Sequence, residues 1–445
     1  MPATRPPARS ATVLAVCALV ALVAALALTV TRGGTLGNSR PLHGWYLADL
    51  VLFATAVALL RRVPAPRVAG LVLAGSVAVA ATGLAAPPRT SDDVYRYVWD
   101  GRVQAAGVSP YRYTPDDSAL ARLRDPALFP PDPCRAWNEH RTASGVCTHI
   151  NRPGVHTIYP PVAEFWFLGL HAAGGTVRTV QVGGALLAVA TTGVLLVRRR
   201  DWRAALWGWF PGIAIWSVND AHVDTLGALL LVIALALAVR RRVVAAGAAL
   251  GAAVATKLLP GLALPGAMSG VLARRPGLGD LVLPGAALAA FALAYLPYVM
   301  ASGTGVIGYL PGYLREEGYQ DDGGIGRFGL LRLLLPADWA PYAAALVLAV
   351  VVLYVLRRGD PARPWSGALL VTGTALLLVA PAYPWYGLLV VALVALDGRW
   401  EWLAVPAAGQ ALYLLQGGAQ QPAYGAALAV VVLGAIVRRA RIKKS

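Results

Sequence analysis

The sequence predicts an all-α, polytopic integral membrane protein. Of its 445 residues, 57% are hydrophobic and only 14% charged, against about 25% charged in an ordinary soluble chain; the mean hydropathy is +0.59. The formal charge of +17 falls in short clusters between apolar runs: Arg61-Arg62, Arg198-Arg199-Arg200, Arg240-Arg241-Arg242, Arg274-Arg275, Arg357-Arg358 and the tail from Arg438 to Lys444. Clusters so placed mark the cytoplasmic ends of membrane helices. The basic balance therefore reads as topology, and no nucleic-acid partner is expected.

Residues 1–10 are short and basic and precede an apolar run from Ala11 to about Val30. No small-residue cleavage site precedes Thr31-Arg32-Gly33-Gly34, so the run reads as a retained first helix rather than a signal peptide. Runs at about Trp45–Leu60 and Val68–Ala86 follow. With the N-terminus inside, the long polar segment 87–160 emerges outside. Within it, Asp92–Ala106 predicts a short interfacial helix with Tyr95, Val98, Trp99 and Arg102 along one face; residues 116–150 show no readable pattern. The run 161–173 reads as an interfacial or half-membrane helix, because separate crossings by it and 179–197 would leave the Arg198 cluster outside. Candidate spans then lie near 179–197, 204–218, 225–239, 243–258, 259–273, 281–300, 340–356, 366–382, 384–396, 402–416 and 423–437. The expected total is about 12 to 14 crossings with both termini inside, several of them short of the ~20 residues of a straight span. Short spans with interior Gly and Pro suit helices that line a cavity. No repeat of fixed period occurs, and 1–445 reads as a single integral domain with 301–339 as a second outer loop.

The sharpest chemical feature is Ser91-Asp92-Asp93, at the exit of the third apolar run. Carboxylates at such a boundary face water, a partner or a site. A carboxylate held at a helix start can act as general base toward a hydroxyl; Ser91 or Asp92 can equally cap that helix. Both roles are compatible, with Asp92 capping and Asp93 catalytic. In Asn219-Asp220-Ala221-His222-Val223-Asp224, His222 is suited to a phosphate, and Asp220 or Asp224 to an acceptor or to orienting His222; the alternative is a capped helix junction. Lys257 is an ionisable residue amid apolar sequence, suited to a phosphate as a point charge or to snorkelling. The stretch Arg315–Phe328 reads as a lid or as a solvated loop, with Arg327 placed to meet a phosphate. Tyr383, Trp385 and Tyr386 suit a sugar, a prenyl chain or an aromatic belt.

Cys17 reads as a packed thiol within the first helix. Cys134 and Cys147 stand 13 residues apart in the outer segment, where an oxidising compartment permits a disulfide. A zinc site with His140 and His149 is the alternative, although the spacing fits no standard ligand pattern. No P-loop, Rossmann fingerprint, Gly-x-Ser-x-Gly elbow or His-Glu-x-x-His occurs, so nucleotide hydrolysis and zinc proteolysis have no support.

Asp93-Val94-Tyr95-Arg96-Tyr97 followed by Gly107-Val108-Ser109-Pro110-Tyr111 resembles the first outer-loop pattern of GT-C glycosyltransferases, most closely the actinobacterial polyprenyl-phosphomannose-dependent α-mannosyltransferases. Tyr159-Pro160-Pro161, His222-Val223-Asp224 and Lys257-Leu258-Leu259-Pro260 are similar to further family motifs in the same order. The resemblance implies an inverting enzyme of a bacterial cell membrane, multi-pass, with its active site on the extracytoplasmic side. It would move a sugar, with mannose favoured, from a polyprenyl-phosphate donor to a glycan or glycolipid hydroxyl of the cell envelope. The family base carries over to Asp93, with Asp92 the alternative. One departure is that three spans, rather than one, precede the catalytic loop. A phosphate leaving group needs positive charge, for which Arg96, His222, Lys257 and Arg327 are candidates; Tyr95, Trp99, Asp224 and Tyr383 are candidates for the acceptor or sugar. No cofactor or metal is required by the visible ligands. The competing class is a transporter or flippase of a lipid-linked or small polar substrate, which would share the short helices and intramembrane charge. A non-catalytic scaffold would leave the clustered outer charges unexplained.

Overall fold

The computed structural model describes residues 8–316, 327–415 and 420–442. In chain order its helices are α1 (Ala8–Arg32), α2 (Arg40–Leu60), α3 (Ala65–Gly83), α4 (Asp93–Ala105), α5 (Pro161–Ala172), α6 (Val177–Arg198), α7 (Ala205–Gly208) and α8 (Asp224–Val239). They continue with α9 (Val243–Val254), α10 (Leu264–Ala267), α11 (Val282–Ser302), α12 (Leu310–Glu316), α13 (Ala340–Arg358) and α14 (Pro364–Val379). The last are α15 (Leu388–Asp397), α16 (Ala404–Leu415) and α17 (Gln420–Ile442). A hairpin of β1 (His140–Arg141) and β2 (Cys147–Thr148) pairs His140 with Thr148 and Arg141 with Cys147.

The chain is thus an all-α polytopic membrane protein. Among the described residues, seven helices are long and apolar enough to cross a membrane, or eight if the broken pair Ile213–Asn219 and α8 counts as one span. Hydropathy alone gives a higher count, about 12 to 14. The difference lies in α9, Leu259–Ala273, α14 and Pro384–Asp397, apolar but only 10–17 residues long, in the 12-residue α16, and in 204–218 and 225–239, which fall on one broken pair. Hydropathy registers how apolar these runs are but not how long each unbroken helix is.

Two compact units are present. The first comprises Met1–Gly107, Pro115–Gly154 and Trp166–Thr225. Here α3 packs on α1, α6 and the segment 205–219, whose last turn is π-helical. The approach is close enough that a Cβ at Gly184 would overlap the Ser217 carbonyl oxygen, and one at Gly83 that of Ala214. Ser76 and Thr192 hydrogen-bond across α3 and α6 at 2.8 Å, and the Trp207 indole donates to the Ala188 carbonyl at 2.9 Å.

The structure corrects two expectations in this unit. α4 does not lie at a surface with one apolar face: Val94 through Gly101, and Val103, are all buried. Tyr97 stacks on Phe167 with centroids 4.4 Å apart, and Gly101 lets the Phe167 backbone approach from another side. Cys17 is exposed on α1 rather than packed.

The second unit comprises Val108–Thr114, Val155–Phe165 and Leu226–Ser445. α9 packs on α11, α14 on α10, α13 and α15, and α16 on α17. The spans that contain α11, α13 and α17 are only 11%, 17% and 17% buried, against 56% for α6; apolar helices that exposed are suited to lipid. At the head of this unit the Tyr111 hydroxyl donates to the Tyr159 carbonyl at 2.6 Å, and its ring meets Tyr298 edge-on at 5.3 Å. Two motifs far apart in sequence are thereby fastened together.

Gly184→Ala is expected to destabilise the protein by about 1–3 kcal/mol through overpacking. Gly193→Ala, in the same helix with open space around it, should be neutral or stabilising by about 0.5–1 kcal/mol. Thermal unfolding of the two variants in detergent measures the contrast.

Candidate active site

The chain between α3 and α4 is held by two neighbouring side chains. The Asn219 amide donates to the carbonyls of Gly83, Ala86 and Pro87 at 3.1, 3.0 and 3.1 Å. Asp220, fully buried, accepts from the backbone N–H groups of Arg89, Thr90 and Ser91 at 3.2, 3.0 and 3.2 Å, and from the Thr90 hydroxyl. Gln181 braces the pair, donating to the carbonyls of Ala86 and Asn219 at 3.1 and 2.8 Å. Asn219, Asp220, His222 and Asp224 are all buried, so this stretch is an interior junction rather than a polar rim.

This anchoring delivers Asp92 and Asp93 to the start of α4. Asp92 occupies the N-cap position but makes no side-chain cap bond; the Asp93 N–H donates instead to Ser91 Oγ at 3.3 Å. Both Asp92 oxygens are engaged elsewhere, Oδ2 by His140 Nε2 at 2.6 Å and Oδ1 by the Asn151 amide at 2.7 Å. The same Asn151 nitrogen donates to Asp93 Oδ1 at 2.7 Å. Asp93 Oδ2 lies 3.5 Å from His222 Nδ1. Two carboxylates and two imidazoles from distant parts of the chain therefore meet at one helix start, where the dipole favours negative charge.

Tyr95 backs this cluster. His149 stacks on its ring at 4.7 Å, and Asn138 donates to its hydroxyl at 3.0 Å. Burial first, and then the Asp92 charge, pushes the phenol above its ordinary value. The segment that carries His140 and His149 is closed by the Cys134–Cys147 disulfide, with Cα atoms 5.5 Å apart. Cys134, Glu139 and Cys147 lie near enough together to hold a metal, but the bridge takes both thiols. His140 and His149 face Asp92 and Tyr95 instead, so the zinc alternative loses its ligands.

Two sequence candidates sit in the core. Arg96 is buried and binds Asp100 through Nε at 3.0 and 3.1 Å. Trp99 is 1% exposed, against Phe129, which leaves no ring face for a sugar. Periodicity marked the face that carries Trp99 but not what covers it. Asp224 begins α8 and is likewise buried.

Lys257, Arg327 and Tyr383 belong to the second unit. Lys257 Nζ lies 4.7 Å above the Tyr386 ring, and the Tyr386 hydroxyl meets that of Tyr313. Arg327 is 1% exposed and donates to the Ala380 carbonyl at 3.3 Å. Burial depresses its guanidinium below the ordinary value, opposed by the nearby Tyr313, Tyr386, Tyr383 and Tyr424. Tyr383 stacks on Trp385 at 4.9 Å, and Tyr413 joins both rings. Most of the expected lid, residues 317–326, lies outside the described residues.

Sequence reasoning did not single out Asn151, Tyr313, Tyr413 or Tyr424, and it read His140 only as a metal ligand. Asn151 opens an Asn-Arg-Pro-Gly turn in which Arg152 takes φ 45°; that turn was the available signal. No family model, characterised protein or solved structure matches this chain.

Asp220→Ala would strand three backbone N–H groups and a hydroxyl in the interior, each worth about 1–3 kcal/mol. A loss of at least about 2 kcal/mol in thermal stability is expected, and Asp220→Asn should cost less because one acceptor oxygen survives.

Proposed function

We propose that the chain is an inverting membrane glycosyltransferase of the GT-C type that uses a polyprenyl-phosphate sugar. The observation that carries this reading is the Asp92–Asp93 pair at the start of α4, with Asp92 occupied by His140 and Asn151 while Asp93 Oδ2 faces His222. Asp93 then serves as general base. It takes the proton from an acceptor hydroxyl as that oxygen attacks the anomeric carbon, and the carbon–oxygen bond to the prenyl phosphate breaks. The phosphate departs with the bonding electrons, so its negative charge grows in the transition state and calls for cations. By sequence resemblance the candidates for it are His222, Lys257 and Arg327. Arg96 is left out of this role because Asp100 neutralises it.

The ordered resemblance to actinobacterial polyprenyl-phosphomannose-dependent enzymes supports mannose as the sugar and a cell-envelope glycan or glycolipid as the acceptor. It also supports a bacterial plasma-membrane location with the site outside the cytoplasm. A donor that arrives activated in the bilayer needs no nucleotide site, consistent with the absence of nucleotide motifs from the sequence.

The test is transfer of labelled mannose from polyprenyl-phosphate-mannose to membrane acceptors by purified protein. Asp93→Asn should lower the rate by about 10²- to 10⁴-fold, the usual worth of a general base, while the protein stays folded. Asp92→Asn, which spares the base itself, should cost no more than about tenfold. The opposite pattern moves the base to Asp92. Lys257→Met should slow transfer by about 10²-fold, the scale for removing one charge-stabilising donor. A wild type inert toward mannosyl, glucosyl and arabinosyl donors across a broad acceptor set would reject the reading in favour of a transporter.

A further inference from the structure

We propose that His140 and Asn151 are positioning residues that hold Asp92 and so aim Asp93; the inference rests on the reading of Asp93 as the base. Adjacent carboxylates repel, and each needs a compensating donor to keep its place. Asn151 supplies one to each, at 2.7 Å to Asp92 Oδ1 and 2.7 Å to Asp93 Oδ1. A single planar amide nitrogen thus sets the spacing between the two groups. His140 takes the other oxygen of Asp92 at 2.6 Å. With both oxygens engaged, Asp92 becomes the post against which the pair is fixed.

His140 can do this only if its own backbone is held, and three independent pins hold it. The Cys134–Cys147 bridge ties the chain ahead of β1 to β2, and the Cys134 sulfur contacts the His140 carbonyl at 3.5 Å. Thr148 Oγ1 and the His149 N–H donate to the Leu128 carbonyl at 2.8 and 2.9 Å. The His149 ring lies on Tyr95, two residues beyond Asp93 in α4. The disulfide-closed segment is therefore part of the site's frame.

The test uses the full-length protein and two readouts: kcat and donor KM for transfer, and the rate of carbethoxylation of His140 by diethylpyrocarbonate, mapped by mass spectrometry. His140→Ala should lower kcat about tenfold with donor KM unchanged, and His140→Gln, which keeps a donor toward Asp92, should restore most of it. In an Asp92→Ala background His140→Ala should have no further effect, because the imidazole acts through that carboxylate. His140 should be modified faster in Asp92→Ala, and faster after reduction of the disulfide, than in the oxidised wild type. Full kcat in His140→Ala, additive losses in the double variant, or equal modification rates would each overturn the proposal. If the wild type transfers no sugar while His140 protection still tracks Asp92 and the disulfide, the positioning stands and the glycosyl-transfer reading falls.

Discussion

Asp220 accepts from three consecutive backbone N–H groups, and Asn219 beside it donates to three carbonyls just upstream. A chain leaving one helix and entering another exposes carbonyls at the first end and N–H groups at the second. In an apolar interior neither set can turn to water. One amide and one carboxylate, adjacent in sequence, satisfy both ends of the α3–α4 connection. The π-helical turn of Ile213–Asn219 leads directly into this pair, and Gly83 and Gly184 let that turn approach α3 and α6. The direction in which α4 starts follows from these contacts, and the position of Asp92 and Asp93 follows from α4.

The same solution appears in the second unit. α14 ends at Ala380, whose φ of 51° is unusual for a residue with a side chain. Its carbonyl receives Arg327 and Gln420, and the next carbonyl, that of Pro381, receives Tyr424. Broken helices within a membrane protein persist where side chains from elsewhere meet the freed backbone groups. In both units the break carries the polar side chains of greatest chemical interest. Irregular backbone and reactive groups share a location because both need the same scarce polar surroundings.

Some of this was legible beforehand. An apolar composition and periodic runs report the environment of each segment, so the all-α membrane class, the short α5 and a helix over about Asp92–Ala106 could be read directly. The 13-residue spacing of Cys134 and Cys147 in one polar segment sufficed to suggest their bridge. Partners were harder. Asn151 reaches Asp92 and Asp93 across more than fifty residues, and no periodicity encodes a contact of that range. Tyr95, Val98 and Trp99 fall as a helical repeat would place them, yet burial on nearly every side of α4 is a property of what folds around it. The span count differs for a related reason: hydropathy measures how apolar a run is, whereas the structure gives the length of each unbroken helix.

The Tyr111–Tyr159 bond has a consequence for how this protein can vary. It ties together the points where the chain leaves the second unit and where it returns, so everything between them is a closed excursion with fixed ends. Lengthening an already closed loop is inexpensive, about 0.6 kcal/mol for each doubling. Insertions near the exposed Ser144–Gly145 turn would change the reach and chemistry of the excursion without moving its anchorage. The tip of the excursion is in this sense adjustable on its own, whereas Asn138, His140, His149 and Asn151 within it are tied to α4 and must vary with it.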